Sequence, residues 1–330
     1  MRIADAHADA LLWNRPLERE SRRGHVDFPR LLSANVRLQC FTLVTRGFPW
    51  VGGFELFARW RGWPREARAS PWERANFQID QLHQACAASG GVARVAQRVG
   101  DIDETWEQGG LACVLGLEGA APLEGKLERL RLLRERGVAF VGPMHLSNNE
   151  MGGSSHPAMG NRPLTALGHA LVEEAGRLGM AIDVAHASRQ TLSALLEQAH
   201  AKVFCSHTGM AALAAPWRNL EDGHCRAIAE RGGVVSIIFS PIYLGGRKLD
   251  DVARHVAHAV KVAGEDAVAL GSDFDGLVPM PKGIRDAGDL PKLVEALTEV
   301  LPERVVEKVV GANLVGFFRS LLRHSPTPAR

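Results

Sequence analysis

A histidine and an aspartate near the start of the chain have the spacing of paired metal ligands. His7 and Asp9 end the run 3–9, which is typical of a short strand. Side chains two residues apart on a strand project to the same side, so the imidazole and the carboxylate would point together from the strand end. A solvated strand end is the simpler interpretation of this pair alone, because a single short motif has many chance matches.

Other acidic and imidazole side chains also follow apolar runs of the sequence. They are Glu118, His145, His186, His207 and Asp273. His, Asp and Glu are the ligands of hydrolytic zinc sites, and two metals can activate a shared water for hydrolysis. The predicted metal ligands are His7, Asp9, Glu118, His186 and His207, which suffice for two metals if Glu118 bridges them. A hydrogen-bonded core histidine stays an alternative for any single one, His145 included.

Eight apolar runs are predicted as strands, and most are separated by a segment of helical periodicity. The predicted strands cover residues 3–9, 36–44, 111–117, 138–144, 180–185, 202–205, 233–239 and 267–271. The predicted helices cover residues 72–88, 125–136, 163–178, 189–199, 222–231, 249–263, 290–300 and 302–322, the last with a candidate break near Gly311. This alternation predicts parallel strands with right-handed crossovers.

Eight such units within 330 residues favour a closed (β/α)8 TIM barrel of the metal-dependent hydrolase type over an open doubly wound sheet. Residues 1–330 are predicted to form a single catalytic domain. The C-terminal strand ends of such a barrel meet at one mouth, where active sites lie, so the residues that follow the strands would become neighbours. The sequence has no Gly-rich dinucleotide fingerprint after the first strand and no P-loop, which disfavours nucleotide binding.

Bulk composition indicates an ordinary globular protein, with 46% hydrophobic residues, 23% charged residues and a net charge of +2. This balance predicts no general affinity for nucleic acid or for a membrane. The five cysteines are widely spaced and form no CxxC pair, which favours reduced thiols and a cytoplasmic location. We expect no signal peptide and no membrane-spanning segment.

Three segments have less specific interpretations. The stretch 45–71 mixes aromatic residues with arginines and is predicted to be a lid or a subunit contact, although such mixtures also bind single-stranded nucleic acid. The Gly- and Asn-rich loop 148–162 has no assigned role. His255 and His258, three apart on a predicted helix, are interpreted as residues of a surface face.

The motifs together resemble the membrane (renal-type) dipeptidases, the zinc dipeptidases of peptidase family M19, in a bacterial form. The resemblance covers most of the chain, and its ordered motifs are DAHAD (5–9), GLEG (116–119), LTALG (164–168), RLGMAIDVAHAS (177–188), FCSH (204–207), RNL (218–220) and GSDFDG (271–276). Ala6, Ala8 and Ala10 stand where the family usually has Gly, Asn and Leu, and this difference leaves the ligands intact.

The resemblance implies two Zn²⁺ per chain and a metal-bridging hydroxide that attacks the peptide bond of a free dipeptide, L,D-dipeptides included. It implies that His7 and Asp9 hold one zinc and that His186 and His207 hold the other. Glu118 would bridge the two ions.

The remaining implied roles belong to the substrate and the proton. His145 would bind substrate and polarise the scissile carbonyl, and Asp273 would carry the proton to the leaving amine. Arg218 would bind the dipeptide carboxylate, and its neighbour Asn219 is also predicted to contact substrate. A homodimer is the expected assembly.

Two alternatives stay open. Other amidohydrolase-like barrels act on lactones, phosphoesters or cyclic amides, but they usually bridge their metals with a carboxylated lysine, and Glu118 takes that place here. A barrel that binds nucleic acid or a protein partner without catalysis is disfavoured by the complete ligand set.

Overall fold

A computed structural model describes residues 1–47, 53–198 and 201–323, and its centre is a closed barrel of parallel strands. The strands are β1 (Ile3–Ala8), β2 (Val36–Val44), β3 (Ala93–Val95), β4 (Leu111–Glu118), β5 (Val138–Gly142), β6 (Ala181–Asp183), β7 (Val203–Thr208), β8 (Val235–Ile237) and β9 (Val268–Leu270). The ring runs β1-β2-β4-β5-β6-β7-β8-β9, and pairing of β9 with β1 and of β2 with β4 closes it. The predicted (β/α)8 barrel is therefore confirmed.

Helices connect the strands and surround the barrel. They are α1 (Phe28–Ser33), α2 (Gly53–Trp60), α3 (Pro71–Ala88), α4 (Val99–Glu107), α5 (Glu128–Glu135), α6 (Ala166–Arg177), α7 (Arg189–Glu197), α8 (Asp222–Glu230), α9 (Pro241–Leu244), α10 (Leu249–Ala263), α11 (Leu290–Thr298), α12 (Glu303–Glu307) and α13 (Asn313–Arg323). No helix among the described residues has the length and apolar character that crossing a bilayer requires.

In several strands, neighbouring residues belong to two separate hydrophobic clusters, as the period of two predicts. Ile3 packs into the outer layer under the helices, whereas Ala4 belongs to the cluster that includes α13. In that second cluster, Phe204 of β7 lies with its ring 5.0 Å from Phe140 and 5.1 Å from Phe317 of α13. Apolar side chains thus fill the barrel interior, and α13 packs against them at one end of the barrel. The polar residues lie at the other end, the mouth.

Close packing requires glycine at two positions. A Cβ on Gly116 of β4 would lie 1.8 Å from Cζ of Phe140, so only glycine leaves room for that ring. The break predicted near Gly311 is a π-helical segment, Lys308–Ala312, between α12 and α13. A Cβ on Gly311 would lie 2.3 Å from the carbonyl oxygen of Arg2, so only glycine allows this close approach of the helix to the residue before β1.

Several predicted features differ from the structure. The short strand β3 pairs with the first half of β4, on the edge whose second half pairs with β5, and is an addition to the eight-stranded ring. The stretch 45–71 contains α2, although its residues 48–52, with Phe48 and Trp50, lie outside the described part. The surface interpretation of His255 is wrong, because its side chain is fully buried.

His255 is buried because its ring joins the segment after β7 to the end of α9. Its Nδ1 accepts a hydrogen bond from the backbone N–H of Met210 at 2.9 Å, and its Nε2 lies 3.2 Å from the carbonyl oxygen of Leu244. The neutral ring with its proton on Nε2 satisfies both contacts. His258, in contrast, is partly buried and lies 2.9 Å from Asp222.

Candidate active site

One carboxylate oxygen lies at the centre of the imidazole groups at the barrel mouth. Oε1 of Glu118, the last residue of β4, lies 2.9 Å from Nε2 of His186 and 3.6 Å from Nε2 of His207. Nε2 of His7 and Nε2 of His145 each lie 3.7 Å from the same oxygen. Four strands that are far apart in sequence thus deliver four imidazoles to one carboxylate.

The remaining carboxylates approach from the side of β1 and β9. Oδ1 of Asp9 lies 3.6 Å from Nε2 of His7, and Oδ1 of Asp273 lies 4.0 Å from it. Asp9 also accepts a hydrogen bond from the Thr42 hydroxyl. The structure therefore brings together all seven histidine and acidic residues that the sequence pointed out at strand ends.

The donor set fits metal ions. The imidazole and carboxylate atoms form three groups that could each hold an ion, and Glu118 belongs to two of them. Oε2 of Glu118 and Nδ1 of His186 are buried and have no hydrogen-bond partner within the described residues. Buried polar atoms are normally satisfied, and a metal ligand is the chemistry that this oxygen offers.

The electrostatics of the site also favour the binding of cations. Burial lowers the pKa of His7, but the negative charges of Glu118 and Asp9 outweigh it and raise the pKa to about 10. Burial also raises the pKa of Asp273 well above its ordinary value, with Asp9 and Glu118 adding to the rise. In the absence of cations the protonated forms of His7, Asp9 and Asp273 are therefore favoured, and a bound metal ion would favour the loss of these protons.

A shared serine orients two of the histidines. Ser206 Oγ lies 3.1 Å from Nδ1 of His7 and 2.8 Å from Nδ1 of His207. Its own proton goes to Oδ2 of the buried Asp183 at 2.6 Å, so the hydroxyl oxygen is left to accept from both rings. Both Nδ1 atoms then carry a proton, so that both Nε2 atoms would be available to bind metal ions beside Glu118 once the rings are neutral.

A second buried carboxylate fixes the backbone behind the site. Asp5 accepts hydrogen bonds from the N–H of Ser272 at 2.8 Å and from its hydroxyl at 2.6 Å, as well as from Gln39 at 2.9 Å. These contacts join the end of β9 to β1 and β2. They hold His7 and Asp273 at a fixed separation.

Unusual backbone conformations concentrate at the site. His186, Asp273, Asp275 and Leu277 have φ values of 64°, 59°, 66° and 63°. Non-glycine residues rarely adopt this left-handed region, and such strain is typical of functional sites. At Asp275 the left-handed backbone conformation is stabilised by two contacts of the side chain. The carboxylate forms an ion pair with Arg15, and its Oδ1 accepts a hydrogen bond from the backbone N–H of His25 at 2.8 Å.

A cavity of about 370 Å³ opens above the ligands. Arg218 lines it, with Nη2 donating to the carbonyl oxygen of His207 at 2.9 Å and the guanidinium 4.8 Å from the Tyr243 ring centre. The Nε of Arg218 is buried without a hydrogen-bond partner in the described part of the chain. An anion in the cavity would therefore meet a preorganised guanidinium.

Asn219 has a different environment. Its amide donates to the carbonyl oxygens of Ala214 at 2.9 Å and Tyr243 at 2.7 Å, and its oxygen accepts from the N–H of Gly209 at 3.1 Å. These bonds shape the loop that carries Arg218. Asn219 lines a neighbouring depression and is absent from the residues that line the ligand cavity.

The supporting residues Asp5, Asp183, Ser206 and Asp275 were not assigned roles from the sequence. All four lie within the quoted motifs, next to or near a predicted site residue, and that adjacency was the available signal. Their roles depend on contacts between strands, which the order of residues does not contain.

Comparison with known proteins agrees with this architecture. The family model described as membrane dipeptidase (peptidase family M19) matches residues 1–325. A dipeptidase of Aspergillus oryzae, aclJ, is 28% identical over 90% of this chain and 72% of its own. An uncharacterized Klebsiella pneumoniae protein, encoded in the pqqA 5′ region, is 33% identical over 72% of this chain and 92% of its own.

Among solved structures, the M19 metallopeptidase called dipeptidase AC has a TM-score of 0.84 at 25% identity, over 98% of this chain and 99% of its own. A barrel whose mouth gathers histidines and carboxylates defines a metal-dependent hydrolase. The chain belongs to the membrane dipeptidase family, peptidase family M19. It is a metallo-dipeptidase, a hydrolase of peptide bonds.

Proposed function

We propose that the protein hydrolyses free dipeptides, L,D-dipeptides included, with two Zn²⁺ per chain. The observation that carries the proposal is the single oxygen of Glu118 within 3.7 Å of four imidazole Nε2 atoms, beneath a cavity that also contains Arg218. A carboxylate in this position can bridge two metals and takes the place of the carboxylated lysine of other amidohydrolase-like barrels.

His7 and Asp9 would hold one zinc, and His186 and His207 the other, with Glu118 between them. Bound zinc would lower the pKa of a shared water and polarise the scissile carbonyl. Ser206 would leave the Nε2 atoms of both His7 and His207 available to bind metal, and these two atoms lie in one group with Glu118.

Arg218 would select free dipeptides by binding their terminal carboxylate with its planar guanidinium. A longer peptide would place an uncharged peptide group there and leave the buried cation without an anion. The limited cavity volume of about 370 Å³ is consistent with a substrate of two residues. Asn219 would act on substrate through the loop that it holds, because its amide is already bonded to backbone atoms.

His145 and Asp273 would handle the carbonyl and the proton. His145 Nδ1 lies 3.3 Å from the carbonyl oxygen of Arg46, which can only accept, so the proton sits on Nδ1 and the ring is held with Nε2 toward Glu118. When protonated, that Nε2 would donate to the scissile carbonyl oxygen. Asp273, whose pKa is raised by burial, would take a proton from water and give it to the leaving amine.

Domain organisation, assembly and location are also part of this proposal. The chain would act as one catalytic domain over residues 1–330, with the stretch 45–71 as a lid or subunit contact; α2 of that stretch borders the cavity. A homodimer in the cytoplasm is the proposed state. All five cysteines are free thiols, which is consistent with a reducing compartment.

The test is a panel of L,L-, L,D- and D,L-dipeptides, with lactones and phosphoesters as controls, assayed on zinc-loaded protein of known metal content. We expect turnover of dipeptides only, L,D-substrates included. Asp273→Asn should keep its metal and lose at least about 100-fold in kcat. Lactone turnover without dipeptide turnover, or full activity of Asp273→Asn with intact metal content, would contradict the proposal.

A further inference from the structure

One wall of the ligand cavity is apolar. It is formed by Leu12, which follows β1, by Val44 at the end of β2, by Phe54 and Phe57 of α2, and by Leu277, which follows β9. None of these side chains carries a charge or a hydrogen-bonding group. An apolar cavity wall binds apolar groups, because contact with them removes surface from water.

The part of this wall formed by Val44 and α2 lies across the barrel mouth from Arg218, whereas Leu277 follows β9, two strands from β7. In the eight-stranded ring, β2 is four strands away from β7 in either direction. The loop after β7 carries Arg218, whereas Val44 and α2 belong to the end of β2 and the segment after it. A dipeptide whose carboxylate is on Arg218 would therefore extend its N-terminal residue toward the apolar wall.

The wall is held in place by its own packing. Phe54 lies 5.6 Å from Trp63 and 5.8 Å from Phe57, measured between ring centres. Phe54 and Trp63 are buried in a small cluster with Leu12 and Val44, separate from the barrel core. Rigid aromatic side chains bind with little loss of conformational freedom.

Leu277 is exposed in a way that packing does not explain. Its side chain is 64% exposed at the cavity, and its backbone has a φ of 63°. A large apolar residue gains no stability in such a position, and a strained backbone is retained where it serves a site. A ligand side chain between Leu277 and Phe57 would cover both.

We propose that this wall is the subsite for the N-terminal side chain of the substrate and that the enzyme prefers dipeptides with a bulky aliphatic or aromatic N-terminal residue. The inference rests on the proposed dipeptidase function. It assigns specificity to Phe57 and Leu277. Acidic and basic N-terminal residues would be poor substrates, because their charges would lose water without gaining a partner.

The test uses the isomers Leu-Ala and Ala-Leu with Ala-Ala, Asp-Ala and Lys-Ala, on the zinc-loaded full chain. The three extra carbons of leucine should raise kcat/KM for Leu-Ala roughly 10- to 100-fold over Ala-Ala. Ala-Leu should gain much less. Asp-Ala and Lys-Ala should fall below Ala-Ala.

Two variants and one matched control assign the effect to the wall. Phe57→Ala and Leu277→Ala should each remove most of the Leu-Ala advantage and leave kcat/KM for Ala-Ala within about twofold. Leu277→Ala tests the wall without a folding defect, because this side chain is already exposed. Leu56→Ala, 61% exposed on the same helix and not part of the cavity, should change neither substrate.

Preference for Ala-Leu over Leu-Ala, or for Asp-Ala or Lys-Ala, would overturn the assignment of the wall. An unchanged Leu-Ala to Ala-Ala ratio in both variants would overturn it as well. Absence of turnover on every dipeptide, with metal bound, would instead refute the proposed function on which the inference rests.

Discussion

Replacement of Ser206 by alanine should weaken metal binding at both proposed positions. The hydroxyl lies 3.1 Å from Nδ1 of His7 and 2.8 Å from Nδ1 of His207, and these rings belong to different proposed zinc ions. Ser206→Ala removes the acceptor for both rings and leaves every first ligand in place. The change therefore tests how the orientation of the two histidine rings affects metal binding while the ligand residues stay the same.

The size of the effect follows from the hydrogen bonds that are lost. Each ring loses one buried bond, worth about 1 to 1.5 kcal/mol, and 1.4 kcal/mol corresponds to tenfold in a binding constant. We expect each zinc Kd to rise by roughly tenfold or more, as is usual for partners of metal-bound histidines. Asp183 Oδ2 also loses its donor, so the free energy of unfolding of the metal-free protein should fall by about 1 to 3 kcal/mol.

The assay is competition between the protein and a chelator of known zinc affinity, supported by the absorption spectrum of the cobalt-substituted protein. Ser193→Ala, an exposed serine of α7, is the matched control and should bind zinc like the unaltered chain. A change at only one of the two positions, or unchanged affinity at both, would refute the shared role of Ser206.

Three other perturbations have defined outcomes. Arg218→Lys should raise KM for a dipeptide roughly tenfold and leave the slow hydrolysis of its C-terminal amide unchanged, because only the free carboxylate needs the planar guanidinium; equal effects on both substrates in steady-state kinetics would contradict this. Burial lowers the pKa of His255 to about 4, so its stabilising contribution is complete above pH 6.5 and is lost as the pH falls through 4. Urea titrations should therefore show a loss of about 3 kcal/mol between pH 7 and pH 4 that His255→Asn lacks, and parallel pH curves would exclude it. Gly116→Ala should lower the free energy of unfolding by about 3 kcal/mol, because its Cβ would lie 1.8 Å from Cζ of Phe140, whereas an unchanged denaturation midpoint would show that the ring can move.

The barrel could be predicted because each strand and each helix has a recognisable pattern within a short stretch of sequence, and the alternation of the two is repeated along the chain. Strand β2 and helix α10 have the predicted limits. The residues after the strands could be grouped because parallel strands bring their C-terminal ends to one side. This rule alone was enough to place Glu118 and His207 together in the predicted site.

The rest depends on contacts that the order of residues does not contain. The three-residue strand β3 is shorter than the window in which periodicity can be recognised. His255 has the spacing of a surface residue, and its burial depends on contacts with the N–H of Met210, 45 residues away, and with the carbonyl oxygen of Leu244. Asp275 could not be assigned a role, because its partners Arg15 and His25 come from the other end of the chain.

The central claim is that two metals held around Glu118 hydrolyse dipeptides. Its most direct test is titration of the metal-free protein with zinc while hydrolysis of one dipeptide is followed. We predict that activity rises to a plateau at two zinc equivalents per chain and that Glu118→Gln abolishes this plateau. A plateau at one equivalent, or two bound zinc ions without dipeptide hydrolysis, would contradict the account.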